Sequence, residues 1–159
     1  MSEGLRGLRA SLQRWRGLPQ ADRHVALALV ALLPAVAVGL RLFGLRRVCR
    51  FFSRWQGPKL PLEPLPLDRA AAMGLLVNAV ARRLPGHPAC LSRSVTLWWL
   101  LLRRGTRADV RIGVRNASGT IRAHAWVELS GVVLNDSQDV GQRFAAFEGA
   151  TLPARWMSS

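Results

Sequence analysis

The stretch PGHPACLSRSVTLWWLLLRRG, residues 85–105, sets one of the chain's two cysteines at the mouth of an apolar run. Pro85 and Gly86 break whatever precedes them. Pro88 suits the first helical position, where its missing N–H would have no intrahelical partner anyway. Gly105, following Arg103 and Arg104, suits the far end, with cations in the last turn and glycine just beyond it. The spacing therefore predicts a buried helix with Cys90 in its first turn. Leu97, Trp98 and Leu101 share one stripe, which expects a sheet beneath it, and the pair Trp98 and Trp99 reads as core.

Downstream, the period changes from 3.6 to 2. ADVRIGVR places Val110, Ile112 and Val114 on one face of a strand, and IRAHAWVEL does the same for Ile121, Ala123, Ala125, Val127 and Leu129. With Asn116 to Gly119 as the turn, Arg115 is expected to pair with Thr120, and the apolar sides agree. The opposite face carries Arg111, His124, Trp126 and Glu128, a setting better suited to a cleft than to an aliphatic core. Ser130 and Gly131 then turn the chain into VVLND, and VGQRFAAFEGATLPARW offers a short helix and a tail.

Upstream, DRAAAMGLLVNAVARRL predicts a helix from Asp68, its expected N-cap, to Leu84. Before it, GPKLPLEPLPLD has four prolines between Pro58 and Asp68, too many for a helix interior or a central strand. Residues 1–57 read as a helical segment, with Leu5, Leu8, Leu12 and Trp15 recurring at helical spacing between arginines. The expected organisation is an N-terminal helical segment at 1–57, a proline-rich linker at 58–68 and a core at 69–159, joined as one structural unit. The fold class is α+β, a cysteine-bearing helix packed on an antiparallel sheet of at least three strands.

Val25 to Leu40 contains no charge over 16 residues, against the roughly 20 that a membrane span needs. Pro34 interrupts it and Arg41, Arg46 and Arg47 follow. It suits a buried or interfacial helix first, and a membrane anchor over residues 25–45 second. A secretion signal fits poorly, because the basic lead-in is long and no cleavage site is evident.

The net charge is +14, and 22 of the 23 basic residues are arginine. Such a charge attracts anions without choosing among them. Nucleic acid is not expected as a partner, since the basic residues are spread along the chain and no RNP, zinc-finger or helix-turn-helix pattern is present. Cys49 and Cys90 form neither a pairing pattern nor a CxxC, so no disulfide framework, metal or cofactor is expected, and a reducing cytoplasmic setting is the simplest.

Cysteine chemistry needs a thiolate, a histidine to exchange protons and a third polar group to fix the imidazole tautomer. The first turn of a helix, with unpaired N–H groups and the positive end of the dipole, favours a thiolate there. Cys90, His124 and Asp136 supply the three residue types in that order. Cys49, among arginines and phenylalanines, reads as structural. His24 starts the apolar helix, and His87 sits in the Pro-Gly turn.

The block CLSRSVTLWWLLLRRG, the strand ADVRIGVR, then AHAWVEL and VLND resemble the transglutaminase-like, papain-related cysteine peptidases of lasso-peptide biosynthesis, in particular the stand-alone leader peptidases. The resemblance covers about residues 68–140. It implies Cys90 as nucleophile, His124 as base and Asp136 as orienting acid, with no cofactor. The implied reaction is hydrolysis of the bond joining leader to core in a ribosomally made precursor. The implied partners are that precursor, a separate leader-recognition protein and a lasso cyclase. The alternatives are acyl transfer to an amine on the same triad, or a non-catalytic basic protein bound to membrane or nucleic acid.

One position resists. If Ser130 and Gly131 make a two-residue turn, alternation sets Asp136 opposite Ala125, on the wrong face for His124. Either the loop carries a bulge or Asp136 lies past the end of the ladder. Asp139 is the fallback, and Asn135 a more remote one.

Overall fold

The computed structural model describes residues 20–55, 63–117 and 119–146. The amphipathic pattern of residues 1–19, the first part of the proline-rich stretch and the tail from residue 147 lie outside the described residues. Among those described, the order is α1 (Gln20–Arg54), α2 (Leu67–Ala81), α3 (Cys90–Arg103), β1 (Asp109–Ala117), β2 (Thr120–Leu129), β3 (Val132–Val133), α4 (Val140–Arg143) and β4 (Ala145–Ala146). The strands form one antiparallel sheet in the order β3-β2-β1-β4. The protein is α+β.

α3 begins at Cys90 with Ala89 as its N-cap, two residues later than Pro88 suggests. Gly86 and His87 both adopt positive φ, and Ala89 is extended (φ −58, ψ 159), so the chain arrives in an open conformation and closes its first helical turn only at the cysteine. At the other end Gly105 N–H donates to Leu102 O (3.0 Å) and Thr106 N–H to Leu101 O (2.9 Å). These are the two bonds of a Schellman stop, with Gly105 at φ 72.

The helix is buried on nearly every side. Val95, Leu97, Trp98 and Leu101 meet Val110 and Val127 of the sheet, Leu29, Leu33 and Val36 of α1, and Ala70 and Val77 of α2 in one cluster. Each fully buried aliphatic side chain contributes about 1.5–3 kcal/mol, so α1 is fastened to the same core as the cysteine helix. Trp99 is buried too, its ring 4.8 Å from that of Phe52.

α1 has two apolar faces. Ala26, Leu29, Leu33 and Val36 recur at helical spacing and are buried, whereas Leu27 (61 %), Val38 (54 %), Leu42 (69 %) and Phe43 (59 %) are exposed. Gly44 interrupts the helix with φ 75 and ψ 166. Beyond it Val48, Cys49 and Phe52 return to the core, and Phe51 and Trp55 are exposed. The helix is long and apolar enough to cross a bilayer, and only 22 % of its most apolar window is buried.

α2 runs from Leu67 to Ala81, with Pro66 rather than Asp68 at the N-cap position and no side-chain capping bond. Proline's fixed φ ends the extended linker two residues earlier than expected. Asp68 falls in the first turn, where its charge still complements the helix dipole.

In the β1–β2 hairpin Ala117 pairs with Thr120, so Arg115 faces Arg122 instead of Thr120. The turn is two residues shorter than expected. A register change of two leaves every side chain on its predicted face, where a change of one would have reversed the sheet.

The second face of the sheet is not an open cleft throughout. Trp126 is buried with Val133, Val140 and Phe144 in a separate small cluster. Gly113 makes the room: a Cβ there would stand 2.9 Å from Ala145 O, 3.0 Å from the Trp126 ring and 3.1 Å from Phe144 Cβ.

Candidate active site

His124 lies on β2, on the same side of the strand as Trp126. Its Nε2 is 2.6 Å from Asp136 Oδ2, and both side chains are about four-fifths buried, at 20 % and 24 % exposure. The Phe144 ring stacks 4.9 Å from the imidazole, and Trp126 is 6.2 Å away. Trp126 is itself fixed, since its indole N–H donates to Glu128 (2.7 Å), which also accepts from Arg111 Nε (3.1 Å).

The β2–β3 turn has the two residues expected, Ser130 and Gly131, both at positive φ in the manner of a tight hairpin. Ladder pairing nonetheless ends at Val133. Leu134 N–H still donates to Val127 O (2.9 Å), but Val127 N–H donates to the side-chain Oδ1 of Asn135 (2.8 Å) rather than to a strand carbonyl. With an amide side chain standing in for the ladder, the backbone bends through residues 134–136 and Asp136 is released from alternation. Of the two explanations for its face, the structure has the second.

The other carboxylate oxygen of Asp136 accepts from Ser137 N–H (2.8 Å) and Arg143 (3.3 Å). Burial pushes the Asp136 carboxyl up, but the His124 hydrogen bond, the Ser137 N–H and the imidazole charge together outweigh it and hold it below the ordinary aspartate value. An ionised Asp136 can only accept, so Nε2 of His124 is the donor in this contact, and whenever the imidazole is neutral its lone pair is left on Nδ1. Asp139 does not reach the imidazole. It is exposed and pairs with Arg143 Nε at 3.2 Å, and hydrogen bonding to Ser137, ahead of the Arg143 charge, holds its carboxyl low.

Cys90 is half-buried at the first residue of α3, whose N-terminus has no side-chain cap. The helix is tied to the histidine strand one turn further on, where the Ser94 hydroxyl donates to Ala125 O (3.0 Å) beside His124. Asn135 Nδ2 donates to the same hydroxyl (3.0 Å), and Asn78 of α2 donates to Asn135 O (2.8 Å) while accepting from Arg93 (3.3 Å). One network thus joins the cysteine helix, the strand and the acid loop. His124 and Asp136 touch directly, whereas among the described residues Cys90 has no hydrogen bond to either, and it is its helix, through Ser94, that meets the strand. Gly74 brings α2 against this loop: a Cβ on it would lie 2.1 Å from Leu134 O.

A family model described as the Transglutaminase-like superfamily matches residues 29–148. The chain belongs to the transglutaminase-like superfamily. Comparison with curated proteins and with solved structures finds no match. Membership brings cysteine-peptidase or acyl-transferase chemistry, and the matched span of this transglutaminase-like domain runs from within α1 past β4.

The remaining thiol and imidazoles stand apart. Cys49 is buried, and burial pushes its thiol up to about 12. His24 and His87 are exposed. The sequence did not single out Gly74, Asn78, Ser94 or Arg143 as supports of the site. Ser94 lies within the resembling CLSRS block, but the partners of Gly74, Asn78 and Ser94 come from distant parts of the chain, whereas those of Arg143 lie four to seven residues before it.

Proposed function

We propose that this transglutaminase-like protein is a cysteine peptidase that removes the leader from a ribosomally made lasso-peptide precursor, using Cys90, His124 and Asp136. Cys90 Sγ attacks the scissile carbonyl and forms a thioester as the peptide C–N bond breaks. His124 takes the thiol proton on Nδ1 and returns it to the leaving amine, and water then hydrolyses the thioester. Asp136 fixes the tautomer, and the uncapped first-turn N–H groups of α3 are the natural oxyanion donors. The observation that carries this is the 2.6 Å contact between His124 and Asp136 on a strand bound through Ser94 to the cysteine helix. The substrate class rests on the CLSRS and HAWVE resemblance, which also implies a separate leader-recognition protein and a cyclase as partners.

The test is reconstitution with a candidate precursor from the neighbouring genes and its recognition protein, followed by mass spectrometry. Wild type is expected to yield separate leader and core, and Cys90→Ala to lower the rate by about three orders of magnitude or more with its melting temperature kept. Undiminished cleavage by Cys90→Ala rejects the proposal. A joined product in place of two peptides transfers the assignment to acyl transfer on the same triad.

We further propose a cytoplasmic location at the membrane, through residues 25–45. The exposed Leu27, Val38, Leu42 and Phe43, with Arg41, Arg46 and Arg47 alongside, suit the boundary of an anionic bilayer. Co-flotation with phosphatidylglycerol vesicles is expected, and Leu42→Glu with Phe43→Glu should reduce it severalfold without unfolding the core. Protein that stays in the dense fraction at low salt sinks this placement.

A further inference from the structure

The face of the sheet that carries His124 also carries two arginines directly opposed. Gly113 pairs with His124, and the next pair on that face is Arg115 with Arg122. A step of two residues along a strand is about 7 Å, so the arginines stand immediately beside the imidazole. Both are exposed. Like charges directly opposite on an antiparallel pair destabilise the ladder, and the same face shows the ordinary remedy elsewhere, where Arg111 pairs with Glu128 at 3.1 Å. Among the described residues no carboxylate pairs with Arg115 or Arg122.

Arg115 is also directed. Its guanidinium lies 5.2 Å from the centre of the Phe144 ring, the ring that stacks 4.9 Å from His124. Two guanidinium forks beside a reactive imidazole, unneutralised on their own face, have the chemistry that binds a carboxylate bidentately.

We propose that Arg115 and Arg122 form a carboxylate subsite for an aspartate or glutamate side chain of the peptide substrate, within about three residues of the scissile bond, at the 3.3–3.4 Å per residue of an extended chain (about 10 Å in all). The proposal rests on His124 being the base of a peptide hydrolase. The incoming carboxylate relieves the cross-strand repulsion, so the subsite gains from binding what the empty hairpin lacks.

The test uses the full chain carrying Cys90→Ala, immobilised and equilibrated with a random pool of capped hexapeptides, the bound fraction being sequenced by mass spectrometry. Acidic peptides are expected to be enriched about tenfold, the scale of a charge-assisted hydrogen bond. Arg115→Gln with Arg122→Gln should abolish the enrichment. Arg82→Gln with Arg83→Gln, which removes the same charge from the exposed end of α2, should keep it. Equal loss in both pairs, or in neither, overturns the subsite. The same pool is then digested by the chain with Cys90 intact, where cut sites should carry an acid within three residues. Cutting without acidic preference rejects the subsite and leaves the hydrolase standing. No cutting of the pool or of the reconstituted precursor, with the binding difference preserved, rejects the hydrolase and leaves an anion site.

Discussion

Gly74→Ala is expected to lower the melting temperature by about 10 °C, a cost of about 3 kcal/mol. Helix propensity alone predicts the opposite sign, because alanine is favoured over glycine by about 1 kcal/mol in a helix interior. Sterics decide. The added Cβ would lie 2.1 Å from Leu134 O and 2.8 Å from Leu134 C, both backbone atoms with no rotamer by which to retreat. Relief requires α2 to move off residues 134–136, and Asn78, one turn along the same helix, then loses its bond to Asn135 O. Asn135 in turn holds Val127 N–H and Ser94, so the displacement reaches the segment that aims Asp136. Gly141→Ala is the control, since nothing lies within 4 Å of its built Cβ, and it should be neutral or slightly stabilising. Calorimetry on the two variants checks both signs, and an unchanged or raised midpoint for Gly74→Ala removes the close approach as the reason for this glycine.

The fold class and the cysteine helix were legible because each rests on local pattern. Hydrophobic period separates helix from strand, and glycine after paired arginines ends α3 where the Schellman bonds are found. His124 was placed on the correct face despite a register error, because an error of two residues is silent to alternation. What could not be read is set by partners distant in sequence. Gly74 looks like any helical glycine until Leu134 is brought against it. Asp136 sits on the wrong face of an ideal hairpin, and it reaches His124 only because the Asn135 side chain takes over a backbone's hydrogen bond. The burial of Trp126 depends on Val140 and Phe144 folding back over the sheet, and the outer apolar face of α1 cannot be told from its buried one by composition.

Asp136→Asn is expected to reduce kcat/KM by about two to four orders of magnitude, the range set by losing control of a catalytic imidazole's tautomer. The amide offers a donor as well as an acceptor, so His124 Nε2 is no longer obliged to carry the proton and Nδ1 no longer obliged to be the base. Asp139→Asn, whose carboxylate is engaged by Arg143 and exposed, should change the rate less than about twofold, which separates the two acids that the sequence left in competition. A second readout tests whether the contact to His124 carries charge. Its carboxyl is held below the ordinary range, chiefly by the His124 bond working against burial. The folded protein therefore gains stability from this group at pH values above the unfolded carboxyl's value of about 3.9, and loses it as pH falls through the lower folded value. Melting temperature followed from pH 6 downward should fall less steeply in Asp136→Asn than in wild type, and the two curves should converge in strong acid. Parallel curves across that range, with catalysis intact, would mean that the short contact to His124 carries neither charge nor function.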